Sequence, residues 1–176
     1  MGVQRFREEA VLFVGCLFSF QEIYNAALAV LKKDFGNILL ETPSLPWAHS
    51  DYYAEEIGEP LYKNFIFFDR VIDTSHLPDA KVRIMDIENH FSKDRKRQIN
   101  LDPGYLSLAK VVLASRKNYS HRIYLGKLVF AELELIFKEG AFHALPYTYA
   151  DYKDEWSIKI FTQARALFKK GIDKSD

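Results

Sequence analysis

An apolar run near the start of the chain restricts the fold more than any other feature. Residues 10–20 read AVLFVGCLFSF and follow Arg5 and Arg7. The run is too short for a transmembrane helix, which needs about 20 apolar residues, although a run of this length behind two arginines also fits a signal-peptide core. Glu8 and Glu9 stand where a signal peptide carries positive charge, and the Val and Phe content is typical of a strand buried on both faces. The sequence therefore predicts a buried strand and no membrane segment.

The charge balance and the cysteine count narrow the class of protein. The 176 residues include 24 basic and 24 acidic side chains, and this zero net charge gives no general attraction to nucleic acid or to an anionic membrane. A single cysteine, Cys16, excludes an intramolecular disulfide, and its apolar neighbours indicate a buried, unreactive thiol. We expect one globular domain over residues 1–176, located in the cytoplasm, with no nucleic-acid partner.

The rest of the chain mixes helix and strand patterns. Ser19 and Glu22 form a capping-box pattern that predicts a helix ending at Gly36. Further helices are predicted from Pro78 and over 155–170, and strands over 37–42, 64–72, 122–125 and up to Lys138. The pattern is typical of an α+β fold: a single two-layer domain with a mixed or mostly antiparallel sheet and helices packed on one face.

One segment leaves a choice of structure. Asp102 and Pro103 can begin a helix that continues to Leu113, and the alternative is a strand over 111–114. The segment before Lys138 alternates apolar residues with Glu132 and Glu134, which predicts a half-exposed antiparallel strand. The basic residues 93–97 indicate a solvated surface turn.

Several motifs resemble one bacterial family. The segments 100–106 (NLDPGYL), 120–126 (SHRIYLG) and 146–152 (PYTYADY), with Asp51-Tyr52-Tyr53 and the opening LFVG, resemble the family known as domain of unknown function 4416. The resemblance covers almost the whole chain and implies no activity, substrate or fold. Some members carry the label GTP-binding protein, but this sequence has neither a Gly-x-x-x-x-Gly-Lys-Ser/Thr loop nor an Asn-Lys-x-Asp motif.

The first candidate stretch for a site surrounds the Asp-Pro-Gly turn. We expect Asn100, Gly104 and Tyr105 to contact a ligand there, because glycine allows backbone amides to approach it and a helix start offers free N–H donors. Asp102 is a candidate proton donor or acceptor, and Lys110 a candidate charge partner. The alternative is that Asp102 only caps a helix and that Pro-Gly only makes a turn.

The second stretch combines a histidine with an arginine. His121 is a candidate general acid or base because its ordinary pKa is close to neutrality. Arg122 and Tyr124 share one side of a strand and together suit a phosphate or a carboxylate. The alternatives are a structural role for His121 and pairing of Arg122 with Glu132 or Glu134 across the hairpin.

The third set of residues is rich in tyrosine and aspartate. Aromatic faces with hydroxyl rims stack on flat rings, and the alternative is interior packing. The set comprises Asp51, Tyr52, Tyr53, Tyr147, Thr148, Tyr149, Asp151 and Tyr152. The candidate ligand contacts among them are Asp51, Tyr52, Tyr147, Tyr149 and Asp151. The five histidines lack zinc-ligand spacing, so no metal is predicted, and nothing in the sequence identifies a cofactor.

Two functional hypotheses follow. The first is a small-molecule enzyme or binder for an anionic ligand that carries phosphate or carboxylate, with a nucleotide among the candidates, in a hollow shared by the three stretches. Whether the chain is an enzyme stays open. The second is an interaction module in which the aromatic segments contact another chain or a second copy in a homo-oligomer.

Overall fold

The apolar run forms the central strand of the fold. In the computed structural model, which describes residues 8–48 and 51–174, strand β1 spans Glu9–Phe18 and is buried from its second residue onward. It pairs antiparallel with β4 (Tyr62–Asp73) on one side and with β5 (Ile99–Ser107) on the other. The predicted buried strand is confirmed.

The strands of the described residues form one antiparallel sheet of nine strands. The other strands are β2 (Ile38–Glu41), β3 (Leu45–Pro46), β6 (Lys110–Ser115), β7 (Ile123–Gly126), β8 (Val129–Lys138) and β9 (Ala141–Ala144). The main order is β2-β4-β1-β5-β6-β8-β7, with β3 beside β4 and β9 beside β8. The α+β class and the antiparallel sheet are confirmed.

The helices of the described chain lie on both faces of this sheet. They are α1 (Gln21–Phe35), α2 (Ala54–Ile57), α3 (Leu77–His90), α4 (Ala150–Lys153) and α5 (Glu155–Ile172). Leu12 packs with α1 and α3 in one core, whereas its neighbour Phe13 packs with Phe161 of α5 in the other. The sheet is therefore the middle of three layers. The expectation of two layers with helices on one face was wrong, because alternate side chains of β1 need an apolar cover on each side. None of the described helices is long and apolar enough to cross a membrane.

Helix α1 begins without the predicted capping box. The helix starts at Gln21, its preceding residue Phe20 has extended backbone angles, and no side chain caps the first turn. The Ser19 hydroxyl is buried and finds no hydrogen-bond partner among the described residues. Because β1 continues to Phe18, Ser19 belongs to the short connection between strand and helix, one residue too early to act as the N-cap.

The Asp-Pro-Gly segment is a strand and not the start of a helix. It lies within β5, and the alternative strand after it is β6. Strand β5 pairs with β1 from Ile99 to Ser107, but with β6 only at residues 104–106. The Leu101 N–H points away from β1 and donates to Glu88 Oε1 at 2.7 Å. The nitrogen of Pro103, two residues later, faces the same side and has no hydrogen to donate to β6. The two strands are therefore apart at residues 99–103 of β5, before the pairing begins at Gly104, and they leave a fork in the sheet there.

Candidate functional site

The fork between β5 and β6 contains a cavity of about 480 Å³, which we call the fork cavity. This volume is within the range of small-molecule sites, roughly 300–1,000 Å³. Five basic and three acidic residues line it, together with tyrosines and a tryptophan. We call its buried or half-buried part the floor, which comprises Lys63, Lys81, Glu88, Asn100, Asp102, Asp151 and Tyr152. We call its exposed edge the rim, which comprises Tyr52, Arg116, Lys117 and Tyr149.

Two lysines bring positive charge into the floor. The side chain of Lys81, on α3, is only 8% exposed, and its Nζ lies 3.7 Å from Asp102 Oδ1, beyond hydrogen-bond length. Lys63, on β4, makes an ion pair with Asp151, and its Nζ also lies 5.2 Å from the centre of the Tyr152 ring. The Lys81 side chain is thus largely buried, and its ammonium group has no acceptor at hydrogen-bond distance among the described residues, in a cavity wide enough for an external one.

A chain of hydrogen bonds fixes the position of Asp102. Glu56 accepts two hydrogen bonds from the Arg97 side chain, at 2.8 and 2.7 Å. Arg97 Nη1 donates to Asn100 Oδ1, and Asn100 Nδ2 donates to Asp102 Oδ2, each at 2.7 Å. The amide of Asn100 is therefore oriented by two charged neighbours, and it leaves Asp102 Oδ1 directed towards Lys81.

The buried carboxyl group of Glu88 lies in the floor and also contacts the backbone of β5. Burial raises the pKa of Glu88 to about 7, against the opposing effect of the Lys81 charge. Its Oε1 accepts the Leu101 N–H and lies 3.6 Å from Arg97 Nη1. Glu88 replaces the strand partner that β6 does not supply, and its raised pKa makes it a candidate proton donor or acceptor beside the cavity.

The hydroxyl of Tyr152 is an unused polar group in the floor. Tyr152 is 2% exposed and its hydroxyl has no hydrogen-bond partner among the described residues. A Cβ atom at Gly15 would lie 3.3 Å from this oxygen, so the glycine keeps the space beside it open. Burial raises the pKa of the Tyr152 hydroxyl, which stays protonated at neutral pH and keeps a hydrogen to donate.

The structure brings only part of the sequence-predicted site together. Five predicted residues line the fork cavity, namely Tyr52, Asn100, Asp102, Tyr149 and Asp151. The side chain of Asp51 and the residues 49–50 lie outside the described part of the chain. Asp102 is therefore the one residue of the Asp-Pro-Gly segment that lines the cavity, and the other predicted residues whose side chains are described do not line it.

Three residues of the first predicted stretch do not line the cavity. Gly104 packs under the ring of Phe13, so its backbone faces a side chain and not a ligand. Tyr105 belongs to the core on the opposite face, with α1 and α3. Lys110 pairs with Glu8 at 2.9 Å, at the far end of β6. Because the segment is a strand, successive side chains alternate between the faces and cannot surround one ligand.

Arg122 and His121 share a carboxylate outside the cavity. Glu132 is 1% exposed and accepts Arg122 Nε at 2.7 Å, while its other oxygen lies 2.8 Å from His121 Nε2. The His121 ring stacks on Tyr147 at 4.1 Å, and Tyr124 is exposed on β7. The pairing of Arg122 with Glu132, left open by the sequence, is the observed arrangement. Glu132 and Glu134 are buried, so the prediction of a half-exposed β8 was wrong.

Arg122 does not line the cavity, but it holds three residues that do. Its Nη1 donates to Ser115 Oγ at 3.1 Å and to the Lys117 carbonyl at 2.7 Å, and its Nη2 donates to the Tyr149 hydroxyl at 2.6 Å. All three of these partners line the fork cavity. Arg122 is therefore a positioning residue for the rim and not a direct ligand contact.

Lys81 and Glu88 of α3 were not predicted as site residues, although their spacing in the sequence indicates burial. Leu77, Lys81, Ile84 and Glu88 follow one another at intervals of four, three and four residues, which places the two charged residues on the same helical face as the two apolar ones. All four are buried. Charged residues on the buried face of a helix indicate an interior polar site.

A buried acid beside the rim gives stability a pH dependence. Burial and then the charge of Glu132 raise the pKa of Glu134 to about 8. One Glu134 oxygen accepts the Tyr149 N–H at 3.1 Å, and the other has no hydrogen-bond partner within the described part of the chain. Because the folded state keeps a proton that the unfolded state releases near pH 4.5, the free energy of unfolding should fall as pH rises to about 8.

We expect Glu134→Gln to flatten this pH dependence. Urea unfolding measured between pH 5 and 9 should show a decline in wild type that is smaller in the variant. Glu88 contributes a decline in the same direction, ending near pH 7, so the interval between pH 7 and 8 isolates Glu134. Equal slopes for the two proteins in that interval would contradict the assignment.

The described residues give little support for a metal site or for a cysteine nucleophile. They contain no cluster of three His, Cys, Asp or Glu side chains that could hold a metal ion. Cys16 is buried in β1, and burial raises the pKa of its thiol, which makes it a poor nucleophile.

The comparisons with known proteins name a family but no activity. A family model described as a domain of unknown function (DUF4416) matches residues 8–168, nearly the whole chain. No curated protein and no solved structure matches the chain. The functional conclusion therefore depends on the chemistry of the fork cavity.

Proposed function

We propose that this chain, which belongs to the DUF4416 family, binds a small anionic molecule in the fork cavity. The observation that carries the proposal is Lys81 in the floor, whose side chain is only 8% exposed and whose ammonium group lies 3.7 Å from the nearest carboxylate oxygen of the described residues. An anion in the cavity would supply the missing acceptor. The single buried cysteine suits a reducing compartment, and we propose a cytoplasmic location.

Several groups in the floor would act on such an anion in distinct ways. Lys81 and Lys63 supply charge, while the Tyr152 hydroxyl supplies a hydrogen-bond donor. Glu88 and Asp102 are the candidates for proton transfer, Glu88 because its pKa is near neutrality and Asp102 because its orientation is fixed. The same floor would therefore serve either a binding protein or an acid–base enzyme.

We expect Lys81→Met to lose most of the stabilisation that an anion gives the wild type. A ligand at 100 times its dissociation constant raises the free energy of unfolding by about 2.7 kcal/mol. The measurement is unfolding with inorganic phosphate, pyrophosphate or citrate against sodium chloride of equal ionic strength. The change caused by the anion is compared within each variant, so any effect of the substitution on basal stability cancels.

Lys159→Met is the matched control, because Lys159 is 72% exposed and lies outside the cavity. It should respond to the anions as wild type does. Equal stabilisation of the Lys81 variant and wild type would place the anion elsewhere. No stabilisation of wild type by any anion would overturn the proposal.

A second candidate function uses a different surface. Ile123, Tyr124, Leu125 and Leu128 are exposed on or beside β7, an edge strand of the sheet. Edge strands with apolar side chains are sites of chain association, which favours a homo-oligomer. Association that increases with protein concentration, together with no response to anions, would favour this function over the first.

A further inference from the structure

We infer that the anion bound in the fork cavity carries a flat ring, with its charged group on the floor and its ring at the rim. This inference rests on the proposed function and specifies the class of ligand. It depends on how charge and aromatic surface are distributed along the depth of the cavity.

The charged and hydrogen-bonding groups are concentrated in the floor. The side chains of Lys81 and Lys63 are 8% and 12% exposed. The Tyr152 hydroxyl, with no partner among the described residues, lies in the same floor. A ring placed there would leave the ammonium group of Lys81 without an acceptor and the hydroxyl without a hydrogen bond, both of which are costly in a buried position.

The aromatic surface is concentrated at the rim. Tyr52 and Tyr149 are 66% and 42% exposed, respectively. Behind Tyr52, the rings of Tyr53 and Trp47 continue the aromatic wall, with centroid separations of 5.1 Å for Tyr52–Tyr53 and 5.8 Å for Trp47–Tyr53. Exposed rings at the mouth of a cavity offer a surface on which a flat ring can stack.

The rim is held in place before any ligand arrives. Arg122 donates to the Tyr149 hydroxyl and to the Lys117 carbonyl, and Lys117 Nζ lies 5.8 Å from the centre of the Tyr52 ring. These contacts connect one side of the rim to the other. A rim ordered in this way loses little conformational entropy when a ring binds.

The test compares anions with and without a ring. Binding of phenyl phosphate, 3-phenylpropionate, glycerol phosphate and inorganic phosphate is measured by calorimetry on wild type, Tyr52→Leu and Tyr119→Leu. Tyr119 is 65% exposed, as Tyr52 is, but does not line the cavity, so its variant controls for the loss of an exposed tyrosine. The two aromatic probes distinguish a phosphate from a carboxylate head group.

We expect an aromatic anion to bind about ten-fold more tightly than glycerol phosphate. Tyr52→Leu should remove most of that difference and leave the affinity for inorganic phosphate unchanged, and Tyr119→Leu should change neither. Equal affinities for aromatic and non-aromatic anions, or a Tyr52 variant that behaves as wild type, would overturn the inference and leave the proposed function standing. Failure of every anion to bind would overturn both.

Discussion

Glu132→Ala should lower the free energy of unfolding by about 4 kcal/mol, the typical cost of removing one partner of a buried ion pair. Glu132 is 1% exposed, and its two oxygens contact Arg122 and His121 at 2.7 and 2.8 Å. Without the carboxylate, the guanidinium of Arg122, which is 7% exposed, keeps its burial but loses its counter-charge. Urea unfolding at pH 7 measures the effect.

An exposed ion pair provides the control for this prediction. Glu155 and Lys159 pair within α5 with side chains 84% and 72% exposed, and Glu155→Ala should leave stability unchanged within error. The rim should also loosen in Glu132→Ala, because Arg122 positions Tyr149 and Lys117. A loss below about 1 kcal/mol would mean that the pair contributes no more than a surface contact.

Gly104→Ala should destabilise the fold by about 3 kcal/mol, at the upper end of the usual cost of overpacking a core. A Cβ atom at position 104 would lie 2.4 Å from Phe13 Cζ and 2.4 Å from the backbone oxygen of Val112. Neither neighbour has room to move. Phe13 is fully buried among other rings, including Phe161 at 5.1 Å, and Val112 is held in β6 between two strands.

Gly171→Ala is the matched control. Gly171 lies in α5, and nothing is within 4 Å of a Cβ atom built there. Removing this glycine should stabilise the protein by about 0.5–1 kcal/mol. Thermal or urea unfolding of both variants separates steric overpacking from the general effect of adding a methyl group. Similar effects in the two variants would contradict the close packing at Gly104.

The sequence predicted the central strand and the fold class because those features depend on composition over a whole segment. The run from Ala10 is apolar at every position on both sides of β1, and that continuity already argued for cover on both faces. The prediction of helices on only one face did not take this continuity into account. Local patterns identify elements well, but they do not say which face of a sheet a distant helix such as α5 covers.

The fork was not predictable from local sequence. Pro103 and its neighbours match a turn or a helix start, and only the tertiary pairing shows that the nitrogen of Pro103 faces the side where β6 diverges. The sequence located only part of the site, because the rest of it also depends on tertiary contacts. Asn100 and Asp102 share one face of β5 and line the cavity, but the lysine that completes the floor comes from α3, twenty-one residues before Asp102.

The position of β1 affects how the chain folds as it is made. Its two neighbours in the sheet are β4 and β5, so Phe13 pairs with Phe67 and Gly104, which leave the ribosome long after it. The most apolar strand of the chain therefore waits without a partner until Phe67 is made, 54 residues after Phe13, and gains its second partner only at Gly104, 91 residues after Phe13. Pairing over such sequence distances slows folding and exposes the strand to self-association, so chaperones that shield nascent chains should matter more for this protein than for one built from local hairpins.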